Sequence, residues 1–200
     1  MSLKRGADEL PSPWADALDE LDGAHISPSI TCERISAPSR LATFSAAFSA
    51  DVVDHHSDVI GTGRIVFLYE PEGNESWGGS LRVICFAKAP LEADLGLDPF
   101  LSDVAWSWLL DALGDADAVF DRPAGTATKT INTGYGEIAS TAEGTEMEVR
   151  ASWSPRDFHL RPHLEGWLSF VLQLSGIPPL PEGVAPLDLQ RRFTRTPGHD

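Results

Sequence analysis

Between residues 30 and 87 the chain offers four strand-like segments in succession, with turn formers between them and no helical period. Consecutive strands without intervening helices indicate an α+β fold built on an antiparallel sheet. Residues 30–35 alternate weakly between Pro28 and Pro38. Residues 41–53 alternate clearly: Ala42, Phe44, Ala46, Phe48, Ala50 and Val52 share one face, and Thr43, Ser45, Ser49 and Asp51 the other. Asp54-His55-His56-Ser57-Asp58 interrupts this run as a polar turn. Gly61-Thr62-Gly63, read as a bulge or turn, leads into RIVFLY at 64–69, a β-branched and aromatic run. The turn-rich loop EPEGNESWGG at 70–79 joins it to a strand at 81–87, so the two read as a hairpin with a long loop.

Helical periods flank these strands. Ser12 caps a short helix with Pro13 in its first turn, and Trp14, Ala17, Leu18 and Leu21 form its inner face. Asp98 and Pro99 play the same parts for a second helix, along which Leu101, Ala105, Trp108, Leu109 and Ala112 line one side and which Gly114 ends. A threonine-rich strand at 126–133 and a cleanly alternating one at 145–153 follow. The last stretch, ASWSPRDFHLRPHLEGWLSFVLQLSGIPP at 151–179, is the most apolar. Ser154 and Asp157 have the spacing of a capping-box variant, with Trp153 and Phe158 as a hydrophobic staple. A main helix at about 162–175 sets Leu164, Trp167, Leu168, Val171 and Leu172 on one face, which needs a sheet to lie on.

The expected fold is α+β, an antiparallel sheet of six strands with helices packed on it, in the order α-β-β-β-β-α-β-β-α. This order resembles the secretion-chaperone-like fold with one added strand. Two hundred residues suit one domain, drawn here at 11–180, with a flexible N-terminus at 1–10 and a loosely ordered tail at 181–200. Arg191-Arg192-Phe193-Thr194 in that tail matches a basophilic kinase site and Thr196-Pro197 a proline-directed one.

Thirty acidic against fifteen basic residues give a formal charge of −15. Such a surface repels phosphate backbones and anionic lipid, which argues against direct nucleic-acid or membrane binding. Cys32 and Cys85 are too few for a disulfide framework or a four-cysteine zinc site, and read as buried reduced thiols. The N-terminal MSLKRGADELPSP has no apolar core of a signal peptide, and no window approaches a membrane span, so the expected location is cytoplasmic.

Few residues invite chemistry. Gly61-x-Gly63 precedes a strand, whereas a dinucleotide fingerprint follows one and opens a helix. Asp54, His55, His56 and Asp58 are the best metal candidates by ligand type. Adjacent histidines on an extended chain point to opposite sides, so a solvated turn is the expectation. His159 and His163 lie four apart, but Pro162 interrupts a regular helix between them. Ser152, Ser154, Asp157 and His159 are too close in sequence to converge as a triad. No catalytic residue, cofactor or metal is expected. The aromatics stand out more. Trp106 and Trp108 are separated by about 200° on a helix, so one of them can line a second surface. Trp77 lies in a polar, glycine-flanked loop, either folded back over the sheet or presented to a partner. Trp77 and Trp106 are therefore the candidate partner-binding residues.

Six words occur in order along the chain: ISAPSRLA from Ile35, GTGRIVFLYEPEG, ESWGGSLRVICF, DVAWSWLLDAL, VRASWSPRD and SGIPPLPEGV. Over roughly residues 14–186 the sequence resembles a family of actinobacterial proteins that forms a domain of unknown function, number three thousand. The resemblance assigns no catalytic residues. It implies an association with RNA metabolism, because such genes often lie beside one for a ribonuclease-D-like protein. Three functions are carried forward: a non-enzymatic protein-binding adaptor or chaperone-like module; an enzyme of unknown chemistry with a pocket between the last helix and the sheet; and an accessory factor of RNA metabolism acting through a protein partner.

Overall fold

In the computed structural model, residues 10–91, 98–138 and 144–177 are described. The chain runs α1 (Ser12–Asp22), β1 (Ile30–Ile35), β2 (Phe44–Val53), β3 (Val59–Asn74), β4 (Gly79–Leu91), α2 (Leu101–Asp115), β5 (Phe120–Asn132), a 3-10 turn (Gly136–Ile138), β6 (Gly144–Pro155) and α3 (Arg161–Leu174). This is the expected order. Every strand pair is antiparallel, in a single sheet ordered β1-β2-β3-β4-β6-β5. After β4 the chain crosses through α2 to the far edge, and β6 returns to fill the space between β4 and β5. The N-terminal segment before Leu10, the tail at 181–200 and its threonines Thr194 and Thr196 lie outside the described residues.

The alternation selects one side of the sheet for the core. Ala46, Phe48, Ala50 and Val52 of β2, Ile65 and Phe67 of β3, Val83 and Ala87 of β4, and Met147, Val149 and Trp153 of β6 are buried on that side. There α3 contacts β2, β3 and β4, while α1 and α2 flank it. Leu164, Trp167, Leu168, Val171 and Leu172 are buried as the spacing implies, and so are Phe170 and Leu174. An α-helix apolar nearly all round is one enclosed on all sides. Gly166 permits that enclosure, because a Cβ there would stand 2.8 Å from the Ala112 carbonyl oxygen of α2.

Several local expectations are corrected. Gly61 and Gly63 form no turn; both pair within β3, opposite Val52 and Ala50, and a register irregularity lies next to Gly61, where Val53 pairs with Val59. Their lack of a side chain serves helix-to-sheet contact, since a Cβ on Gly63 would stand 2.6 Å from Trp167 Cζ2 and 2.9 Å from the Phe86 carbonyl oxygen. The loop expected at 70–79 shrinks to the four residues 75–78, because pairing resumes at Asn74 opposite Gly79 beyond an irregularity after Tyr69. Asn74 closes this turn: its Oδ1 accepts from Ser76 N and its carbonyl from Trp77 N.

The helix caps also differ. Pro11 is the N-cap of α1, so the Ser12 hydroxyl falls one position late and reaches Asp16 instead. Asp98 Oδ1 accepts from Phe100 N in a turn, and α2 starts at Leu101 and runs one residue past Gly114. No side chain caps α3. Asp157 Oδ1 accepts from His159 N, and Ser154 Oγ donates to the Trp77 carbonyl. The expected staple does not form either. Phe158 meets Tyr69 edge-on at 5.0 Å, and Trp153 Nε1 donates to His163 Nδ1 at 3.0 Å. Pro162 costs α3 little, since it stands in the first turn, where its missing N–H has no intrahelical acceptor.

Candidate interaction face on the open side of the sheet

No described helix packs on the other side of the sheet. The register assembles that side row by row. One row reads Ile35, Ala47, Val66, Ile84, Ser152 and Ala124 across all six strands. The next reads Glu33, Ser49, Arg64, Phe86, Arg150 and Thr126. At the β2 end the connection after β1 folds over the sheet, where Ser45 Oγ donates to the Pro38 carbonyl. Toward β4, β6 and β5 the face stays open as a groove of about 550 Å³. Val66, Ile84 and Phe86 are half-buried on its floor.

Two cations border the floor. Arg150 stands over the Phe86 ring, its Cζ 5.2 Å from the centroid, and its Nε holds Glu148 Oε1 at 2.6 Å. Arg64, on the opposite side of Phe86, is exposed and forms no ion pair among the described residues. The groove lining contains both arginines and no carboxylate. One row along, Arg82 donates to Ser152 Oγ at 2.6 Å and Ser154 Oγ at 3.0 Å, which pins β4 to β6. The arrangement offers aliphatic and aromatic surface beside guanidinium groups able to pair with carboxylates in two-point geometry. It presents no nucleophile paired with a base.

The residues singled out from the sequence lie elsewhere. Trp106 is on the helix side, half-buried, with its ring edge where a Cβ of Gly125 would stand. Trp108 is half-buried against the same core. Trp77 is half-buried at the end of the sheet and lines a second cavity. His55 and His56 do not point apart, because the chain is a turn there: their rings lie 3.9 Å apart. Asp54 is committed to that turn, accepting from the N–H groups of His56 and Asp58. These backbone hydrogen bonds, Asp58's first, hold its carboxyl below the usual range. Among the described residues no group of three or more His, Cys, Asp or Glu side chains is placed to hold a metal. His159 pairs with Glu20 at 2.8 Å, Asp157 is turned to the His159 N–H, and Ser152 and Ser154 serve Arg82, so the four triad candidates do not converge.

Sequence reasoning missed Arg64, Phe86 and Arg150. The signal was present: RIVFLY and LRVICF are apolar on both faces, yet helices cover only one. The second apolar face of such strands must be buried by something else or remain open.

The family described as protein of unknown function DUF3000 matches residues 10–185, which includes every described strand and helix. The chain belongs to this family. No curated protein and no solved structure matches it. Among the described residues no helix is long and apolar enough to cross a membrane.

Proposed function

We propose that the protein is a non-enzymatic binding module, an adaptor for another protein, and that its open sheet face takes an acidic segment of that partner punctuated by apolar residues. The observation that carries this reading is the charge of the groove: two arginines and no carboxylate around an apolar floor, in a chain of net charge −15. The general acidity acts at long range and is screened within about 8–10 Å at physiological salt. At contact the local charge decides, and there a partner's carboxylates meet Arg64 and the part of the Arg150 guanidinium that Glu148 does not hold. Its apolar side chains cover Val66, Ile84 and Phe86, at roughly 25 cal/mol per Å² removed from water. The alternative of an enzyme with a pocket between the last helix and the sheet has less support, since Trp167 and Val171 of α3 close directly onto Gly63 there.

The test uses three labelled peptides of one length and one leucine spacing, whose other positions are all Glu, all Ser or all Lys. In fluorescence polarisation the Glu peptide binds, and Arg64→Glu or Phe86→Ala weakens it while thermal melting shows the variants folded. Equal binding of the Lys or Ser peptide, or indifference to both substitutions, refutes the reading.

A further inference from the structure

A second concavity of about 720 Å³ lies at the end of the sheet, where the β3–β4 turn meets β5 and the end of β6. Arg122 reaches it at a conformational cost. Its φ of +53° is left-handed, which a long side chain rarely adopts. The residue sits in the irregularity between Asp121 and Ala124, where one strand gains length over its neighbour. Its guanidinium lies over Gly78: a Cβ there would stand 2.5 Å from Arg122 Cζ, and Gly78 itself has φ +71°. Two backbone irregularities thus combine to hold one arginine in one place.

That guanidinium has no hydrogen-bond or ion-pair partner among the described residues. Arg82 beside it bonds only neutral oxygens: the Arg122 carbonyl, Ser152 Oγ and Ser154 Oγ. Burial and then the charge of Arg122 push the Arg82 pKa down. Arg156 contrasts with both, since Asp121 holds it at two points, at 2.8 and 2.6 Å. Asp157, the other carboxylate of the lining, is turned to the His159 N–H. Asp121, whose carboxyl feels the charge of Arg122, is held by Arg156, so among the described residues neither Arg82 nor Arg122 has a carboxylate bonded to it, and one of the two is held by a strained backbone.

We propose that this cavity binds an organic oxyanion, a carboxylate or a phosphate, paired to Arg122 with Arg82 behind it, its apolar body against Trp77 and Phe158. Planar guanidinium groups suit both anions, and Trp77 and Phe158 line the same space.

The experiment is calorimetric titration of the full chain with benzoate, phenyl phosphate and inorganic phosphate, repeated on Arg122→Asn. Asparagine tolerates the left-handed backbone and removes the cation. The expected result is saturable binding of benzoate or phenyl phosphate, weakened at least about tenfold by Arg122→Asn at an unchanged melting temperature. The tighter of the two identifies the anion, and inorganic phosphate binds more weakly because it leaves the aromatic wall unused. No saturation by about 1 mM of either aromatic anion overturns the proposal. So does a lower melting temperature in Arg122→Asn with affinity unchanged, which makes the arginine a brace. Should the variant fail to fold, the Arg122 Nε–H resonance of the wild type decides: it shifts on titration or the proposal fails. Arg64→Glu alters the sheet groove and leaves this affinity intact, so the two sites stand or fall separately.

Discussion

Trp167→Ala measures how far the fold depends on the contact between α3 and the sheet. Trp167 is fully buried, and its ring fills the space a Gly63 Cβ would need. Truncating a buried aromatic to alanine costs about 3–5 kcal/mol. One feature of the native state offsets part of this: Trp167 Nε1 is buried and has no hydrogen-bond partner among the described residues. An orphaned donor costs about 1–3 kcal/mol, which the substitution returns. The net expectation is about 2 kcal/mol, a substantial share of the 5–15 kcal/mol typical of a domain. Trp167→Phe separates the two terms. It loses about 1–2 kcal/mol of apolar burial and removes the orphan, so it falls within about 1 kcal/mol of the wild type. It also opens the space into which a Gly63 Cβ would project. Gly63→Ala costs about 1–3 kcal/mol by overpacking in the wild type and less in the Trp167→Phe background. The assay is urea denaturation followed by far-ultraviolet circular dichroism, which the loss of a tryptophan does not disturb. A change below about 1 kcal/mol for Trp167→Ala, or a phenylalanine variant as unstable as the alanine one, refutes the reasoning.

Acid should act through His163, whose burial pushes its pKa down to about 4 from an ordinary 6.5. The folded state keeps this ring neutral while the unfolded state takes up the proton, so the stability present above pH 6.5 is lost as pH falls toward 4, on the order of 3 kcal/mol in all. Melting of His163→Gln across that range checks it: the variant retains less of the pH dependence, and identical curves refute the assignment. Cys32 and Cys85, raised to about 11 and about 12 chiefly by burial, are expected to resist alkylation at pH 8 until the protein is denatured. They also form no disulfide under oxidant, because β1 and β4 stand three strand spacings apart, about 14 Å; mass spectrometry of the oxidised chain tests this.

The parts of the fold legible in the sequence were those governed by period. The alternation of 44–53 and 145–153 fixes which residues face α3, and the three- and four-residue steps of 164–172 fix how α3 lies on them. Features set by partners distant in sequence were not legible. Gly61 and Gly63 look like turn residues until Ser175 and Trp167, a hundred positions away, are known to need the space. Trp153 and Phe158 have staple spacing, but His163 and Tyr69 compete for them and win, through a hydrogen bond and an edge-on ring contact. The apparent loop at 70–79 contains six turn formers, yet Asn74 opposite Gly79 continues the ladder and leaves four residues for the turn.

The site depended on register even more than the fold did. Arg64, Phe86 and Arg150 are spread over almost ninety residues, and nothing in their local sequences ties them together. They become one row only because β6 is inserted beside β4, which puts Phe86 opposite Arg150 on one side and Arg64 on the other. With β5 in that position instead, Phe86 would border a threonine-rich strand and the groove would lose one of its two cations. The crossover through α2 is therefore what creates the charged border, and the apolar second face of β3 and β4 is what it borders. Each half was visible in the sequence as an anomaly: strands apolar on both sides, and arginines on the solvent side of strands in an acidic protein. A search for function in a fold of this kind should begin with such mismatches between strand pattern and layer count, ahead of conspicuous tryptophans in loops, because a two-layer fold leaves one sheet face uncovered and its apolar residues have no structural use there.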